Sequence, residues 1–546
     1  MSDSKADEIF REFKQHSISE FFKKNKQMLG YSGVTRSLVT VVHEYVTNSL
    51  DACEEAGILP NITVKIEKQE DTKFKVIVQD NGPGIPKAYV GKALAVILAG
   101  TKFHRFVQQR GQQGIGAAGC TLFSQVTTGK PIFVISNIGK SAYSCNISID
   151  TKDNKPLITN IEDIKDFNSQ SHGLRIEANF AEVKYIGGEH SIYEYLRRTA
   201  LSNPHLEIKF IDPENKEFVF LRAINNIPEK PKIVKPHPLG LSVNDLLEYA
   251  AYSKANKVSA FLVETFSRVT RDKLKEINDV DLDKDPRKLT WDEAERLIAD
   301  FKKIKWMLPD TSAIIPIGEN QIKIAIENII NPEYMNVIER KPVVFKGGIP
   351  FIVEAAIAFG GNSGIQHDNE LNGNILRFAN RVPLLFDSGS CAITVAAKTI
   401  DWKRYSLDMD TQPISVFVNV SSVHIPYEGV GKESIAKHDE IIEEIRLALM
   451  EAARGIQRYI KGKQQINYEA NKYKTIMRYS KQLAGDLSSI TGKDFDKISV
   501  DITKLIEKHY KNILKKDKEE ENEEGAHIDI DNKKEIDEGD AESNYE

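Results

Sequence analysis

The segment Glu44–Ala52 reads EYVTNSLDA and spaces three polar residues, Glu44, Asn48 and Asp51, by four and then three positions. At about 100° per residue, these side chains fall within about 40° of Glu44 on a helix. The residues on the opposite side are apolar: Leu38, Val42, Val46 and Cys53. The sequence therefore predicts an amphipathic helix over residues 34–56 whose polar stripe is opposite its core-facing stripe.

A carboxylate and an amide one helical turn apart suit a nucleotide site. The amide oxygen of Asn48 can bind Mg²⁺, which prefers oxygen ligands and retains several waters. The carboxylate of Glu44 can orient and deprotonate a water that attacks a γ-phosphate. The alternative is a solvated helix face, which this spacing in isolation favours. The neighbouring motifs must decide between the two.

Two strands are predicted next, by alternating apolar residues in NITVKIEK (61–68) and FKVIVQ (74–79). The second ends at Asp80, the first residue of the string DNGPGIP, in which Gly82 and Gly84 allow a tight turn. A carboxylate at the end of a strand can accept a hydrogen bond from the amino group of adenine. A simple turn is the alternative interpretation, because Asp-Asn-Gly is a common turn string.

A glycine-rich segment follows, RGQQGIGAAG at residues 110–119, ahead of the apolar string CTLFSQV, which could begin a helix. Glycines at this spacing let backbone N–H groups approach phosphates closely, above all before a helix N-terminus. The segment is not a dinucleotide fingerprint, since no strand–helix–strand unit with a suitably placed acidic residue surrounds it. A glycine loop without a ligand is the alternative.

The length of 546 residues predicts two to four domains. We find no apolar run of about 18 residues and no apolar core of a signal peptide, so a membrane span is not expected. The four cysteines are scattered without metal-ligand spacing, which predicts reduced, intracellular thiols. They are Cys53, Cys120, Cys145 and Cys391.

Charge is distributed unevenly along the chain. Residues 517–546 hold 14 acidic and 3 basic residues, whereas the rest of the chain holds 71 basic and 65 acidic residues, a net charge of +6. The tail is therefore expected to be disordered, either as a solubilising extension or as a competitor for basic surfaces. The positive body permits contact with a polyanion.

The rest of the chain divides into segments of different composition. Residues up to about 230 suggest an α+β domain with a mixed or antiparallel sheet, and the proline-rich string IPEKPKIVKPHPLG marks a linker. Residues 241–307 suggest a small helical module. Strand-like runs then return, as in PISVFVNVSSVHIP, and a long helical pattern begins after Gly431 and extends to about residue 515.

Taken in order, the three motifs resemble the GHKL ATPase superfamily, whose Bergerat-type fold implies an α/β sandwich that holds ATP between helices and sheet. Longer strings resemble the B-subunit family of archaeal DNA topoisomerase VI, a type IIB enzyme. Among them are GTKFHRFVQQRGQQGIGAAGCTLFSQVTTGKP, RFANRVPLLFD, DWKRYSLD and IPYEGVGKESIA. This resemblance implies an α+β multidomain chain: a GHKL ATPase domain, a helix-two-turn-helix insert, and a transducer domain with a long terminal helix.

The resemblance also implies roles for individual residues. Glu44 would be the general base, Asn48 the Mg²⁺ ligand, and Asp80 the residue that reads adenine, followed by Gly82 and Gly84. Thr101 and Lys102 would approach the nucleotide, and Lys432 in GVGKES would reach the γ-phosphate from the transducer. The lid over the phosphates would consist of Gly111, Gln112, Gln113, Gly114, Ile115, Gly116, Ala117 and Ala118.

Two positions depart from the family pattern. Leu174 in HGLRIEA stands where a threonine or serine is expected, which would remove one polar contact near the phosphates. Ala118 stands where some relatives carry lysine, so it would contribute backbone only. The remaining functional alternative is an ATP-dependent DNA clamp or scaffold of the same superfamily with little turnover. MutL-type, chaperone and gyrase B alternatives are disfavoured by the transducer strings, the helical insert and the lack of an acidic toprim cluster.

The implied domains are a strap (about residues 1–30) with the ATPase domain (1–230), the insert (231–309), the transducer (310–465), a helical extension (466–515) and the acidic tail (516–546). ATP and Mg²⁺ are the expected cofactors. The expected partners are double-stranded DNA, a second B chain that dimerises on binding ATP, and the A chain of topoisomerase VI in a heterotetramer of two A and two B chains. A cytoplasmic, nucleoid-associated archaeal protein is implied. Lys254, Lys257 and Lys273 could contact DNA, or could simply be solvated.

Overall fold

A computed structural model describes residues 30–97, 106–111, 114–164, 171–367, 370–429 and 431–510. The predictions for residues 1–29 of the strap, for Thr101, Lys102, Gln112 and Gln113, and for the acidic tail lie outside these residues. The chain divides into two compact units, Met1–Ala453 and Arg454–Glu546.

The described residues contain ten complete α-helices. They are α1 (Val34–Ala56), α2 (Lys87–Ala95), α3 (Gly116–Thr128), α4 (Ile192–Ser202), α5 (Val243–Ala251), α6 (Val258–Thr265), α7 (Trp291–Lys303), α8 (Glu319–Ile329), α9 (Ala392–Lys398) and α10 (Asp439–Thr491). Residues 495–510 are also helical.

The strands form two larger sheets and one hairpin. The first eight are β1 (Asn61–Glu70), β2 (Lys73–Asp80), β3 (Ile132–Asn137), β4 (Ala142–Asp150), β5 (Lys155–Ile164), β6 (Gly173–Ala181), β7 (Glu207–Ile211) and β8 (Glu217–Phe220). The later ones are β9 (Tyr334–Glu339), β10 (Val343–Phe345), β11 (Ile349–Phe359), β12 (Ile365–His367), β13 (Glu370–Asn372), β14 (Asn374–Ala379), β15 (Val382–Pro383) and β16 (Ile414–Ser422).

The first sheet has the order β5-β4-β3-β6-β2-β1-β7-β8. All neighbours are antiparallel except β1 and β7, so the sheet is mixed, which is one of the two predicted alternatives. Alternate residues of β1 are buried, such as Ile62, Val64 and Ile66. They share one core with the apolar faces of α1 to α4. Burying these faces together produces a layer of helices against a sheet.

The helical module predicted after the linker is confirmed by α5, α6 and α7, which enclose a separate apolar core. Phe261, Leu297 and Phe301 lie fully buried at its centre. Two of its helices start with reciprocal capping boxes, at Ser242 with Asp245 and at Thr290 with Glu293. These caps satisfy backbone N–H groups that the first turn of a helix otherwise leaves unpaired.

The second sheet has the order β10-β11-β16-β14-β15, with β9 also paired to β11. Its central strands β11 and β16 are buried along nearly their whole length. β16 is antiparallel to β11 and parallel to β14. The residues between β16 and α10 contain Lys432.

The second compact unit contains the part of α10 from Arg454 onward and the helical residues 495–510. Within it, the rings of Tyr473 and Tyr510 lie with their centroids 5.6 Å apart. No helix among the described residues combines the length and apolarity needed to cross a membrane. The domain boundaries predicted above remain predictions.

Candidate nucleotide site

Helix α1 forms where the polar stripe predicted it. Its buried side includes Leu38, Val42, Val46 and Cys53, which confirms the predicted core face. Glu44 is half-buried and Asn48 is exposed. The helix ends at Gly57, whose φ of 71° is left-handed, a conformation that glycine adopts without a steric penalty.

Glu44 lies directly against the first residue of α3. A Cβ atom added to Gly116 would overlap Oε2 of Glu44, so only glycine leaves room for the carboxylate there. The glycine-rich segment therefore ends in a helix N-terminus with a carboxylate beside it. Free N–H groups at a helix N-terminus are suited to bind phosphate oxygens.

The charge of Glu44 acts on several buried groups around it. Burial raises the pKa of Tyr31, and Cys120 and Glu44 raise it further. Burial also raises the pKa of Tyr195, to about 12. Burial lowers the pKa of His43, opposed by Glu44 and reinforced by Lys432. The pKa of His43 is therefore affected by both Glu44 and Lys432, the two predicted catalytic residues, although these come from distant parts of the chain.

Asp80 is the last residue of β2 and is 3 % exposed. Its Oδ2 accepts a 2.6 Å hydrogen bond from the hydroxyl of Ser49 on α1. Its Oδ1 accepts bonds from the N–H of Gly82 at 2.9 Å and of Leu174 at 3.2 Å. Burial raises the pKa of Asp80, and these donors counteract the rise. The carboxyl group is thereby oriented by three contacts on three elements.

A cavity of about 190 Å³ lies beside Asp80. This volume is smaller than that of a pocket enclosing a whole drug-sized ligand, and it suits one part of such a ligand. The buried hydroxyl of Tyr45 has no hydrogen-bond partner among the described residues. The cavity is lined by Tyr45, Asn48, Ser49, Ala52, Asp80, Gly84, Ile85, Ala93, Leu94, Ala117, Leu174 and Ile176.

The turn after Asp80 depends on Gly84. Its φ is 70°, and a Cβ atom there would overlap the carbonyl oxygen of Asn137. Both restrictions select glycine. The chain then continues to α2, which supplies Ala93 and Leu94 to the cavity wall. The predicted tight turn is confirmed.

Leu174 lies at the Asp80 end of the site. β2 and β6 are adjacent antiparallel strands, and Leu174 is the residue directly opposite Asp80. Its backbone N–H donates to Asp80 and its side chain lines the cavity. The position therefore contributes to the cavity beside Asp80, and its effect on a contact near the phosphates stays a prediction. Ala118 is buried within the first turn of α3.

Lys432 lies between β16 and α10, with a φ of 53°. Its Nζ lies 3.3 Å from the carbonyl oxygen of Arg110, the residue before Gly111. The next residue, Glu433, has an oxygen 3.8 Å from Nη2 of Arg36 at the start of α1. The lysine and the glycine-rich segment are thus neighbours, although 322 positions separate Lys432 from Arg110.

Arg36 also donates to Asp387 from both terminal guanidinium nitrogens, Nη2 at 2.8 Å and Nη1 at 3.2 Å. Its guanidinium carbon lies 5.1 Å from the centre of the Phe386 ring. These contacts hold the N-terminal end of α1 against residues that follow β15. Together with Glu433, they anchor the loop that carries Lys432 to the helix that carries Glu44.

Two polar residues of the site were missed by sequence reasoning. Ser49, which orients Asp80, lies on the core-facing side of the helix between Leu38 and Val42, and a hydroxyl among those apolar residues was the available signal. Arg110 binds Asp51 and Glu54 of α1. Its signal was a single arginine that follows two glutamines and begins the glycine-rich string. Asp51, predicted to share the polar face, is thus an ion-pair partner.

The lysines suggested as DNA contacts in the helical module differ in environment. Lys257 pairs with Asp283 and Lys273 with Glu276, each at 2.8 Å and at the surface. Both pairs agree with the solvated interpretation, since exposed ion pairs contribute little energy and exchange readily with water. DNA contact by Lys254, Lys257 or Lys273 remains a prediction.

Comparison with known proteins gives two family matches. The family described as "Histidine kinase-, DNA gyrase B-, and HSP90-like ATPase" matches residues 33–153. The family described as "Topoisomerase VI B subunit, transducer" matches residues 309–472. The first match contains Glu44, Asp80 and Gly116, and the second contains Lys432.

Curated relatives match over nearly the whole chain. The B subunit of type 2 DNA topoisomerase 6 from Pyrococcus horikoshii is 43% identical, with 92% of this chain and 97% of the relative covered. The protein of the same name from Methanothermobacter thermautotrophicus is 44% identical, with 86% and 90% covered. Among solved structures, the B-subunit of DNA gyrase from Myxococcus xanthus aligns with a TM-score of 0.40 at 9% identity, covering 80% of this chain and 95% of that one.

Proposed function

The chain belongs to the B-subunit family of type 2 DNA topoisomerase 6, and from this membership we propose how its ATPase site works. It is the ATP-hydrolysing subunit of a type II DNA topoisomerase. The clamp or scaffold with little turnover is not favoured, because the relatives that match across the chain are named as topoisomerase subunits. The assignment of individual residues below is our proposal.

Adenine would bind in the cavity beside Asp80. Three donors orient this buried carboxyl group, and its remaining lone pairs can accept a hydrogen bond from an exocyclic amino group. Leu94, Leu174 and Ile176 provide apolar walls suited to a planar ring. Tyr45 adds a buried hydroxyl without a partner among the described residues.

The triphosphate would lie along the glycine-rich segment and the N-terminus of α3. The observation that carries this assignment is the contact of Glu44 with Gly116, because it brings a carboxylate next to N–H groups that bind phosphate. Glu44 would accept a proton from the attacking water while the water oxygen bonds to the γ-phosphorus. The bond between the γ-phosphorus and the oxygen shared with the β-phosphate then breaks, and ADP is the leaving group. Lys432 would stabilise the charge that develops on the γ-phosphate.

Mg²⁺ would be held by the amide oxygen of Asn48. Among the described residues no cluster of three or more acidic, histidine or cysteine side chains could hold a metal ion. One protein oxygen suffices, since Mg²⁺ is commonly bound by one or two protein ligands together with phosphates and waters. When bound, the ion would neutralise negative charge on the phosphates.

The partners follow from the family. ATP binding would dimerise two copies through their ATPase domains with the strap. The change would pass through Lys432 and α10 to the A chain of topoisomerase VI, which cleaves DNA, in a heterotetramer of two A and two B chains. One duplex would then pass through a break in another, which relaxes supercoils and separates linked circles. A cytoplasmic location with the nucleoid is part of the same proposal.

Glu44→Gln tests the assignment. The full chain and the variant are compared for equilibrium ATP binding, for ATP hydrolysis, and, with a copurified A chain, for decatenation. We expect hydrolysis to fall by about 10²-fold or more while the ATP dissociation constant changes less than about threefold. Glu55→Gln, an exposed glutamate on the same helix, is the control. A Glu44→Gln chain that hydrolyses ATP at the wild-type rate would refute the role of Glu44.

A further inference from the structure

Residues 106–111, here called the bridge segment, lead into the glycine-rich segment and contact residues far along the chain. The amide of Gln108 bonds the backbone of Ile315 twice, donating to its carbonyl at 3.0 Å and accepting from its N–H at 2.6 Å. The amide nitrogen of Asn380 donates to the carbonyl of Gln109 at 3.1 Å. Both partners lie within the part of the chain that matches the transducer family.

Arg110 is the residue of the bridge segment that binds helix α1. Its Nη1 donates to Asp51 at 2.9 Å and to Glu54 at 2.7 Å, and its Nη2 donates to Glu54 and Asn203, each at 2.7 Å. Nε2 of His205 also lies 2.8 Å from Glu54. The guanidinium therefore joins α1 to the end of α4 through four hydrogen bonds.

These groups are charged although they are buried. The side chain of Arg110 is 7% exposed. Burial alone would raise the pKa of Glu54, but Arg110 and His205 hold it well below its usual range. A buried, multiply bonded ion pair of this kind has one favoured geometry, and loss of one partner leaves the other charge uncompensated.

The backbone of Arg110 contacts Lys432, the proposed catalytic lysine. Its carbonyl oxygen accepts a hydrogen bond from Nζ of Lys432. The following residue is Gly111, the first glycine of the glycine-rich segment. One residue thus contacts the helix of Glu44 through its side chain and the transducer lysine through its backbone.

We propose that Arg110 is a positioning residue for ATP hydrolysis. Its side chain holds the start of the glycine-rich segment on Asp51 and Glu54, and the carbonyl oxygen of Arg110 thereby positions the amine of Lys432. This proposal rests on the function proposed above. Arg110 does not contact the reacting atoms, and it acts through the position of Lys432.

A purely structural ion pair would behave differently. If Arg110 only stabilised the fold, its substitution and that of Lys432 would affect turnover independently. If Arg110 positions Lys432, the lysine contributes little to kcat once Arg110 is changed. The effects of the two substitutions on kcat are then not additive. Arg198 provides a matched control, because it is 2% exposed and its Nε bonds Glu194 at 2.6 Å in the same sheet-and-helix domain.

The first measurement is a double-mutant cycle of ATPase activity with Arg110→Lys and Lys432→Ala in the full chain, assayed with DNA and the A chain present. We expect Arg110→Lys to lower kcat by about tenfold with KM changed less than about threefold. In the Arg110→Lys background, Lys432→Ala should lower kcat by less than about threefold. In the wild-type background, the same substitution should lower kcat by about tenfold or more. Arg198→Lys should be additive with Lys432→Ala. Additivity in the Arg110→Lys cycle would overturn the proposal.

The second measurement needs no ATP turnover. Hydrogen–deuterium exchange of the full chain is compared for the wild type, Arg110→Lys and Arg198→Lys. Faster exchange in peptides covering residues 427–435, in Arg110→Lys alone, supports the proposal, and unchanged exchange there overturns it. Glu54→Gln, which weakens the same ion pair, replaces Arg110→Lys if that variant does not fold. A wild-type chain that does not hydrolyse ATP would refute the proposed function. The hydrogen–deuterium exchange measurement would still show whether Arg110 holds the loop of Lys432 in place.

Discussion

Glu44 and Gly116 are in such close contact that the carboxylate occupies the space of the Cβ atom that any other residue would have at position 116. Gly116→Ala must therefore move the carboxylate of Glu44, which is the flexible end of a side chain and can shift at small cost to stability. We expect kcat for ATP hydrolysis to fall by about tenfold or more, because small displacements of a catalytic group are costly.

The melting temperature of Gly116→Ala should stay close to that of the wild type. Gly187→Ala is the control, since a Cβ atom at position 187 meets nothing within 4 Å. Steady-state ATPase assays of both variants test the expected fall in kcat, and thermal melts test the unchanged stability. An undiminished kcat in Gly116→Ala would show that the position of Glu44 is not critical.

Asp80→Asn should weaken ATP binding. The variant replaces one carboxylate oxygen with an NH₂ group, which would face a donor such as the hydroxyl of Ser49 or the N–H of Gly82. A hydrogen bond to a charged group contributes about 1.5–3 kcal/mol, so the dissociation constant of ATP should rise by about tenfold or more.

The preference of Asp80→Asn for ATP over GTP should decline as well, because guanine has no amino group at the position of that of adenine. Asp71→Asn, on the exposed turn of the same hairpin, is the matched control. Equilibrium binding of both nucleotides is the measurement. If the selectivity of Asp80→Asn equals that of the wild type, Asp80 does not read the base.

Lys432→Ala should reduce turnover while ATP still binds. The lysine would stabilise charge that develops on the γ-phosphate, so its loss should lower kcat by about tenfold or more. Lys437→Ala, an exposed lysine five positions along, should leave kcat unchanged. Single-turnover ATPase rates at saturating ATP distinguish the two. Equal rates for Lys432→Ala and Lys437→Ala would contradict the role of Lys432.

Much of the local structure could be predicted because it follows from periodicity. The stripe around Glu44 and Asn48 predicted α1, and alternating residues predicted β1 and β2, since a helix repeats every 3.6 residues and a strand every two. The turn after Asp80 required glycine, and glycine is present there. The chemical meaning of these motifs came from their order along the chain, which resembles a known superfamily, and each alone had a simple structural alternative.

What could not be predicted depends on contacts between distant segments. Arg110 pairs with residues 56 and 59 positions away, and no local pattern distinguishes those acids from others. The pairing of β2 with β6 brings Leu174 opposite Asp80 across 94 positions, and no local pattern around Leu174 indicates that contact. Strand order is set by the packing of the whole sheet, so a motif read alone does not reveal it.

Glu433 should make stability depend on pH. Burial raises the pKa of this carboxyl group to about 7, against the opposing effect of Arg36. Between the unfolded value of about 4.5 and about 7, the folded chain retains a proton that the unfolded chain has released. The contribution of Glu433 to the free energy of unfolding is therefore fully present below about pH 4.5 and is lost as the pH rises through about 7, a change of about 3 kcal/mol.

Glu433→Gln lacks this titration, so its stability relative to the wild type should increase as the pH is raised. Melting temperatures of both proteins at pH 5 and pH 7.5 test the prediction. Glu428→Gln, exposed in the same loop, should show a difference from the wild type that does not change with pH. If the difference between Glu433→Gln and the wild type is also constant, the carboxyl group does not retain its proton in the folded chain, and Arg36 pairs with two ionised acids, Glu433 and Asp387.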